Sequence, residues 1–176
     1  MIVMTTAIIL AGGDSTRMGE DKALMIGGVS RLVTECHNST LDRVIILCGE
    51  SVRAPLFSGE VWPDPAECQS IVEVIKWCLK QIPDDIIIIP CDAFNLDSQG
   101  IALLCEQRNC VAVDSSGLRQ PLLCRISDRG MVNWNGNTIN AMFNNLPSFT
   151  ESHIAHQFDN FNYRSDLKNL LSPKHR

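Results

Sequence analysis

The chain has 176 residues, and a hydrophobic share of 45% is enough for one substantial core, so a single domain over residues 1–176 is expected. A net charge of −5 excludes a broad electrostatic pull toward nucleic acid or an anionic membrane; a polyanionic ligand has to be met by local cations and a metal. The eight cysteines contain no CxxC pair and mostly sit among apolar residues, which argues against a disulfide framework or metal cluster and for reduced, buried thiols in a cytoplasmic chain.

Residues 1–10 are apolar but lack a basic leader region, and they run directly into Gly12-Gly13. They are expected to form a strand, not a signal peptide, and no apolar run is long enough to cross a bilayer. The stretch 10–22 follows, Leu10-Ala11-Gly12-Gly13-Asp14-Ser15-Thr16-Arg17-Met18-Gly19-Glu20-Asp21-Lys22. Its glycines let backbone N–H groups approach phosphate oxygens with no Cβ in the way. Arg17 brings a planar fork suited to phosphate and Lys22 a mobile point charge; the plainer alternative is a glycine turn with two solvated cations.

A second apolar run, Val44-Ile45-Ile46-Leu47-Cys48, ends at Gly49, and a third, Ile86-Ile87-Ile88-Ile89, ends at Pro90-Cys91-Asp92. Between them Ile71, Val74, Ile75, Cys78, Leu79 and Ile82 fall on one helical face, with Ser70 as N-cap. Further helices are expected over 97–106, over 138–146 and over 164–171, while 152–158 alternates as a strand does. That alternation would point His153 and His156 to opposite faces, so their HxxH spacing does not suggest zinc. Trp62, Trp77 and Trp134 read as core or loop-covering residues.

Strands apolar on both faces, alternating with helices, imply an α/β fold: a three-layer, doubly wound, mostly parallel sheet. Ligands bind such sheets beyond the carboxyl ends of the strands, where Gly12-Gly13, Gly49 and Cys91-Asp92 all fall. Asp92 closes the most apolar strand of the chain. A carboxylate there is costly to desolvate unless it meets a cation, and Mg²⁺ is usually held by one or two carboxylates plus phosphate oxygens. The alternative is an N-cap or turn aspartate.

The stretch 10–22 has neither P-loop nor dinucleotide-fingerprint spacing. It resembles the LAGGxSxRMGxDK signature of nucleotidyltransferases built on a Rossmann-like sheet, and within them the molybdenum cofactor guanylyltransferases. The resemblance rests on four islands. By the first, Leu10, Ala11, Gly12, Gly13 and Lys22 would hold a nucleoside triphosphate. By the second, Pro90-Cys91-Asp92 is similar to the family's PCD, making Asp92 the carboxylate for Mg²⁺. The third, Phe158-Asp159-Asn160-Phe161-Asn162, resembles FxNxN and implies that Asn160 and Asn162 complete the metal or substrate shell. The fourth, Gln120-Pro121-Leu122-Leu123-Cys124, is similar to a family stretch on the pterin side and offers Gln120 as a contact to the acceptor.

Asp64 aligns with an aspartate that the family uses near the nucleotide. The PGPLAG-like stretch of the guanine pocket is replaced by Pro65-Ala66-Glu67-Cys68-Gln69-Ser70, and the strand-end asparagine by Leu47-Cys48. Gln69-Ser70 is similar to a serine-containing segment of the cytidylyltransferases that serve the same cofactor.

The resemblance therefore implies transfer of GMP from GTP to the phosphate of molybdopterin, with pyrophosphate released. Arg17 and Lys22 would neutralise the triphosphate, and the product would pass to molybdoenzymes or their chaperones. The alternatives are a cytidylyltransferase, a transferase for a sugar phosphate, isoprenoid precursor or cobinamide phosphate, and a non-catalytic nucleotide-binding relative.

Overall fold

A computed structural model of the chain describes residues 4–13, 21–39 and 41–161. Seven strands form one sheet: β1 (Thr5–Leu10), β2 (Arg43–Leu47), β3 (Glu60–Trp62), β4 (Asp85–Pro90), β5 (Asn109–Val113), β6 (Arg119–Ile126) and β7 (Ser148–Phe149). Their order is β3-β2-β1-β4-β6-β5-β7. All neighbours pair in parallel except at β6, which runs antiparallel to both β4 and β5. The expected mostly parallel, doubly wound sheet is therefore present.

The sheet's two faces explain the continuous apolar runs. Ala7 and Ile9 of β1, Val44 and Ile46 of β2, and Ile87 and Ile89 of β4 share one core with α1 (Gly28–Asn38) and α3 (Ser98–Glu106). Their alternates, Ile8 and Leu10, Ile45 and Leu47, Ile86 and Ile88, face α2 (Ile71–Gln81) and α4 (Ile139–Met142). Each strand residue is buried on its own side, so no polar alternation appears. The four isoleucines of β4 are all 0% exposed, and burial of each is worth about 1.5–3 kcal/mol.

The helix starts follow local chemistry. The Ser70 hydroxyl accepts from Glu73 N at 3.3 Å, while the Glu73 carboxylate reaches back to Gln69 N, a reciprocal cap. Asp97 Oδ1 accepts from Gln99 N and Gly100 N at 2.9 and 3.1 Å, so the helix expected over 97–106 begins just after its first residue. Helix α1 is absent from the patterns singled out above, although Val29, Leu32 and Cys36 carry its buried face.

Two expectations are corrected. The helix over 138–146 is cut to α4: Thr138 caps it, but Phe143 already leaves helical geometry, and Leu146 precedes Pro147, whose ring disfavours helix at the residue before it. Phe143 and Leu146 are nevertheless buried, their side chains packed by a turn. Residues 152–158 are not a strand but a turn and a 3₁₀ segment, Ala155–Phe158. Ile154 and Ala155 are buried side by side, as are Gln157 and Phe158, a pattern alternation does not allow. His153 and His156 are both exposed, and among the described residues no three or more His, Cys, Asp or Glu are grouped so that they could hold a metal ion. The helix expected over 164–171 lies outside the described residues, as do Arg17 and Asn162.

Candidate functional site

Beyond the carboxyl ends of β1 and β4 the sheet opens into a cleft of about 610 Å³. Leu10, Ala11, Gly12, Gly13, Asp21 and Lys22 line it from the first strand and its loop, and Pro90, Cys91 and Asp92 from β4. Gln120, Pro121, Leu122 and Leu123 close it from β6, Ile71 and Ile139 from the helices, and Phe158, Asp159 and Asn160 from the late segment.

The strand register brings the first two motifs together. Leu10 pairs with Pro90, and the ladder continues one step, with Cys91 N donating to Leu10 O at 3.1 Å and Ala11 N to Leu47 O at 2.8 Å. Gly12 then passes directly against Gly49: a Cβ on Gly12 would lie 2.6 Å from the Gly49 Cα. Gly49 has φ +77 and Gly13 φ +142, both in the region that favours glycine. The absence of a side chain at Gly12 is thus demanded by the second strand's loop whatever the cleft contains.

Lys22 and Asp92, 70 residues apart, meet in the cleft, with Nζ 2.9 Å from Oδ2. Their side chains are only 15% and 14% exposed, so each charge offsets the other's desolvation. The Lys22 ammonium is thus a cation beside the Asp92 carboxylate, where the sequence led to the expectation of Mg²⁺.

The β6 side is built differently. Val111 and Ala112 of β5 pair with Cys124 and Gln120, so residues 121–123 form a bulge. Pro121, which cannot donate to a ladder, sits inside it; residues 120–123 all contribute to the cleft's lining, with Leu122 packed against the core on one face of the sheet and Leu123 in the core on the other. Because β6 runs antiparallel, it is its beginning that reaches the carboxyl ends of β1 and β4. Gln120 Nε2 donates to Asp114 Oδ2 at 2.7 Å, while Asp114 Oδ1 accepts from Ser116 N and Leu118 N, so the amide is tied to a rigid turn.

Asn160 lines the cleft. Beside it Asp159, which the sequence reading passes over, accepts from Ser115 N and Oγ at 3.0 and 2.6 Å. Asp64 is not among the lining residues; its N–H donates to Gly49 O at 2.8 Å, and burial pushes its carboxyl above the ordinary aspartate range. Trp62 packs edge-on against Trp77, 5.5 Å between centroids, and is filled by that contact. The Cys91 thiol lines the cleft but burial pushes its pKa up to about 12, which leaves it a poor nucleophile and a poor metal ligand at neutral pH. All eight cysteines are free.

Two arginines were also not legible as site residues. Arg31 of α1 donates through Nη2 to Ala93 O at 2.8 Å and through Nη1 to Leu96 O, fixing the turn after Asp92. Arg53 reaches the glycine-rich side of the cleft from the 3₁₀ segment Ser51–Leu56. A motif-based reading misses them because most of their contacts are to backbone carbonyls, which leave no trace in residue type.

Of the polar side chains lining the cleft, Asp21 is held by Arg53, Asp159 by Ser115 and Gln120 by Asp114, which leaves Asp92 and Asn160 as groups that would suit a cation sharing its remaining positions with ligand oxygens and water. They do not suit an ion caged by protein alone.

Comparison with known proteins agrees with this architecture. Residues 7–137 match the model of the MobA-like NTP transferase domain, and the chain belongs to that family. A probable molybdenum cofactor guanylyltransferase of Synechococcus elongatus is 38% identical over 95 residues, 49% of this chain and 49% of that protein. The chain thus spans about half the length of the curated relatives it matches. Among solved structures, an Aquifex aeolicus protein superimposes with a TM-score of 0.69 at 19% identity, covering 92% of this chain and 95% of that one. A nucleotidyl transferase from Methanothermobacter superimposes with a TM-score of 0.64 at 12% identity, covering 95% of each chain. These two likenesses establish a shared fold.

Proposed function

We propose that this chain, acting as one nucleotidyltransferase domain, transfers GMP from GTP to the terminal phosphate of molybdopterin and releases pyrophosphate. The observation that carries the reading is the Lys22–Asp92 pair, held at 2.9 Å in a cleft at the ends of β1 and β4. Family membership and the name of the Synechococcus relative support the same chemistry.

In the proposed reaction an acceptor phosphate oxygen attacks the α-phosphorus in line, the α–β phosphoanhydride bond breaks, and pyrophosphate carries away its electron pair. No covalent enzyme intermediate is needed, so positioning and charge neutralisation supply the acceleration. Lys22 exchanges Asp92 for the triphosphate. Asp92, freed of its lysine, would hold the divalent cation with Asn160 and Asn162, while Arg17 would join Lys22 in neutralising the triphosphate. Mg²⁺, when bound, would neutralise charge on the phosphates of donor and acceptor. Leu10 to Gly13 approach the triphosphate through their backbone, Asp64 acts from behind the Gly49 loop, and Gln120 orients the acceptor. The reduced thiols and the absence, among the described residues, of any helix long and apolar enough to cross a membrane support a cytoplasmic setting.

A second reading, transfer of CMP from CTP, is favoured by one feature. The segment that would form the guanine pocket ends here in Gln69-Ser70, and Ile71, 40% exposed, presents an apolar side chain to the cleft. Calorimetric titration with GTP, CTP, ATP and UTP in Mg²⁺ separates the readings. Selective GTP binding lost in Lys22→Ala supports the guanylyltransferase, preference for CTP moves the assignment, and absence of any nucleotide binding refutes the transferase.

A further inference from the structure

Arg53 makes three directional contacts from one guanidinium. Nε donates to Cys48 O at 3.0 Å, Nη2 donates to Ala11 O at 2.8 Å, and Nη1 lies 2.7 Å from Asp21 Oδ2. Ala11 and Asp21 bracket the stretch 12–20, and Cys48 is the residue that follows β2. One side chain therefore gathers the start and the end of the glycine-rich stretch onto the end of the second strand.

The contact with Asp21 continues toward the cleft. Asp21 Oδ1 accepts from Ala23 N at 3.0 Å, capping the turn that begins at Lys22, and Lys22 in turn reaches Asp92. Asp21 and Lys22 are adjacent residues that ion-pair in two directions, one to the β2 side and one to the β4 side. Gly12 is pressed against Gly49 on the β2 side.

We infer that Arg53 is a positioning residue for nucleotide binding: by tying Ala11 to Asp21 it sets the span of the glycine-rich stretch and holds Lys22 within reach of the phosphates. Joining the two ends of a loop removes conformations that binding would otherwise have to exclude. Only arginine suits the task, because its planar fork meets three acceptors in fixed directions while a lysine offers a single point charge. The effect on affinity rests on the nucleotide reading above; the tether itself does not.

The test compares wild type with Arg53→Met, Arg53→Lys and Asp21→Asn in two measurements. In calorimetry with GTP and Mg²⁺, run well below each variant's melting temperature, Arg53→Met and Asp21→Asn are expected to weaken binding roughly tenfold, as loss of a charge-assisted contact does. The double variant should lose no more than either single one, and turnover should show KM for the nucleotide rising more than kcat falls. Arg53→Lys should recover melting temperature more fully than affinity. In limited trypsinolysis of the nucleotide-free chain, cleavage after Arg17 should be several times faster in Arg53→Met and Asp21→Asn than in wild type. A lowered melting temperature with affinity within twofold of wild type and an unchanged cleavage rate would overturn the inference and leave Arg53 a stabilising residue alone. Should wild type bind no nucleotide, the transferase reading falls by itself; the cleavage rate then decides the tether, faster cleavage supporting it and an unchanged rate removing it.

Discussion

Where β1 and β4 end, the cleft is lined by Asp21, Lys22 and Asp92, paired charges fastened to backbone on both sides. Across from them, where β6 begins, the lining is Ile71, Pro121, Leu122 and Ile139, with the Gln120 amide as its fixed polar group. One wall thus carries paired charges and the other is mainly apolar. The first is assembled from strand ends whose register is set by the sheet, and the second from a bulge and two helix starts. Under the proposed function the donor triphosphate would lie against the first wall and the acceptor against the second, so damage to one wall should spare binding at the other.

The largest effect expected on the charged wall is from Asp92→Ala. Turnover should fall on the order of 10²–10³-fold, as when a transition-state contact is removed. Circular dichroism should show the fold retained, with a lowered melting temperature from breaking the largely buried pair; unfolding, with residual native protein fully active, would make Asp92 structural. Lys22→Met should weaken GTP binding on the order of tenfold, the scale of a charge-assisted contact. It should also raise the affinity of the nucleotide-free chain for Mn²⁺, read by electron paramagnetic resonance, because Asp92 loses its internal cation. A lower Mn²⁺ affinity would break the exchange of partners on which the proposed mechanism depends.

On the apolar wall Gln120→Leu should raise KM for the acceptor about fivefold, the worth of one ordinary hydrogen bond, and leave GTP affinity unchanged. Asp114→Asn should do the same by releasing the amide it holds. If either variant weakens GTP binding as much as acceptor binding, the division into two walls is wrong.

The smallest effect belongs to Asp64, outside both walls. Burial raises its folded pKa above the unfolded value, so its favourable contribution is complete below the ordinary aspartate pKa and is lost as pH rises through the folded one. Asp64→Asn should therefore raise the melting temperature at pH 7, with the gain vanishing at pH 3. A strong loss of nucleotide affinity in the same variant would bring Asp64 into the site after all.

Much of the charged wall was legible because its residues lie in short contiguous strings. Strand-then-glycine at Leu10 to Gly13, and strand-then-carboxylate at Ile89 to Asp92, signal the carboxyl edge of a parallel sheet without further help. Lys22 followed from the same string, though its pairing with Asp92 did not. The apolar wall was barely legible. Gln120 was visible only through family resemblance, and the bulge at Pro121 is a property of pairing with β5, not of the string itself. The misread stretch 152–158 failed for a related reason. Gln157 is buried because its amide answers Asp97, with Oε1 accepting from Asp97 N at 3.2 Å and Nε2 donating to Oδ2 at 3.0 Å, so a polar residue stands where alternation expects solvent.

The sequence by itself determined the α/β class, the buried central strands, the helix cap at Ser70, and the edge of the sheet at which chemistry would gather. These depend on periodicity and on side chains acting within a few residues of themselves, information that is local in the chain. Tertiary structure alone decided that Lys22 meets Asp92, that Gly12 crosses Gly49, that β6 runs backwards and bulges, and that Arg53 binds three carbonyl and carboxylate oxygens from separate loops. Those contacts join residues tens of positions apart, and backbone acceptors look alike in every residue type, so only the folded chain specifies which of them a given side chain finds.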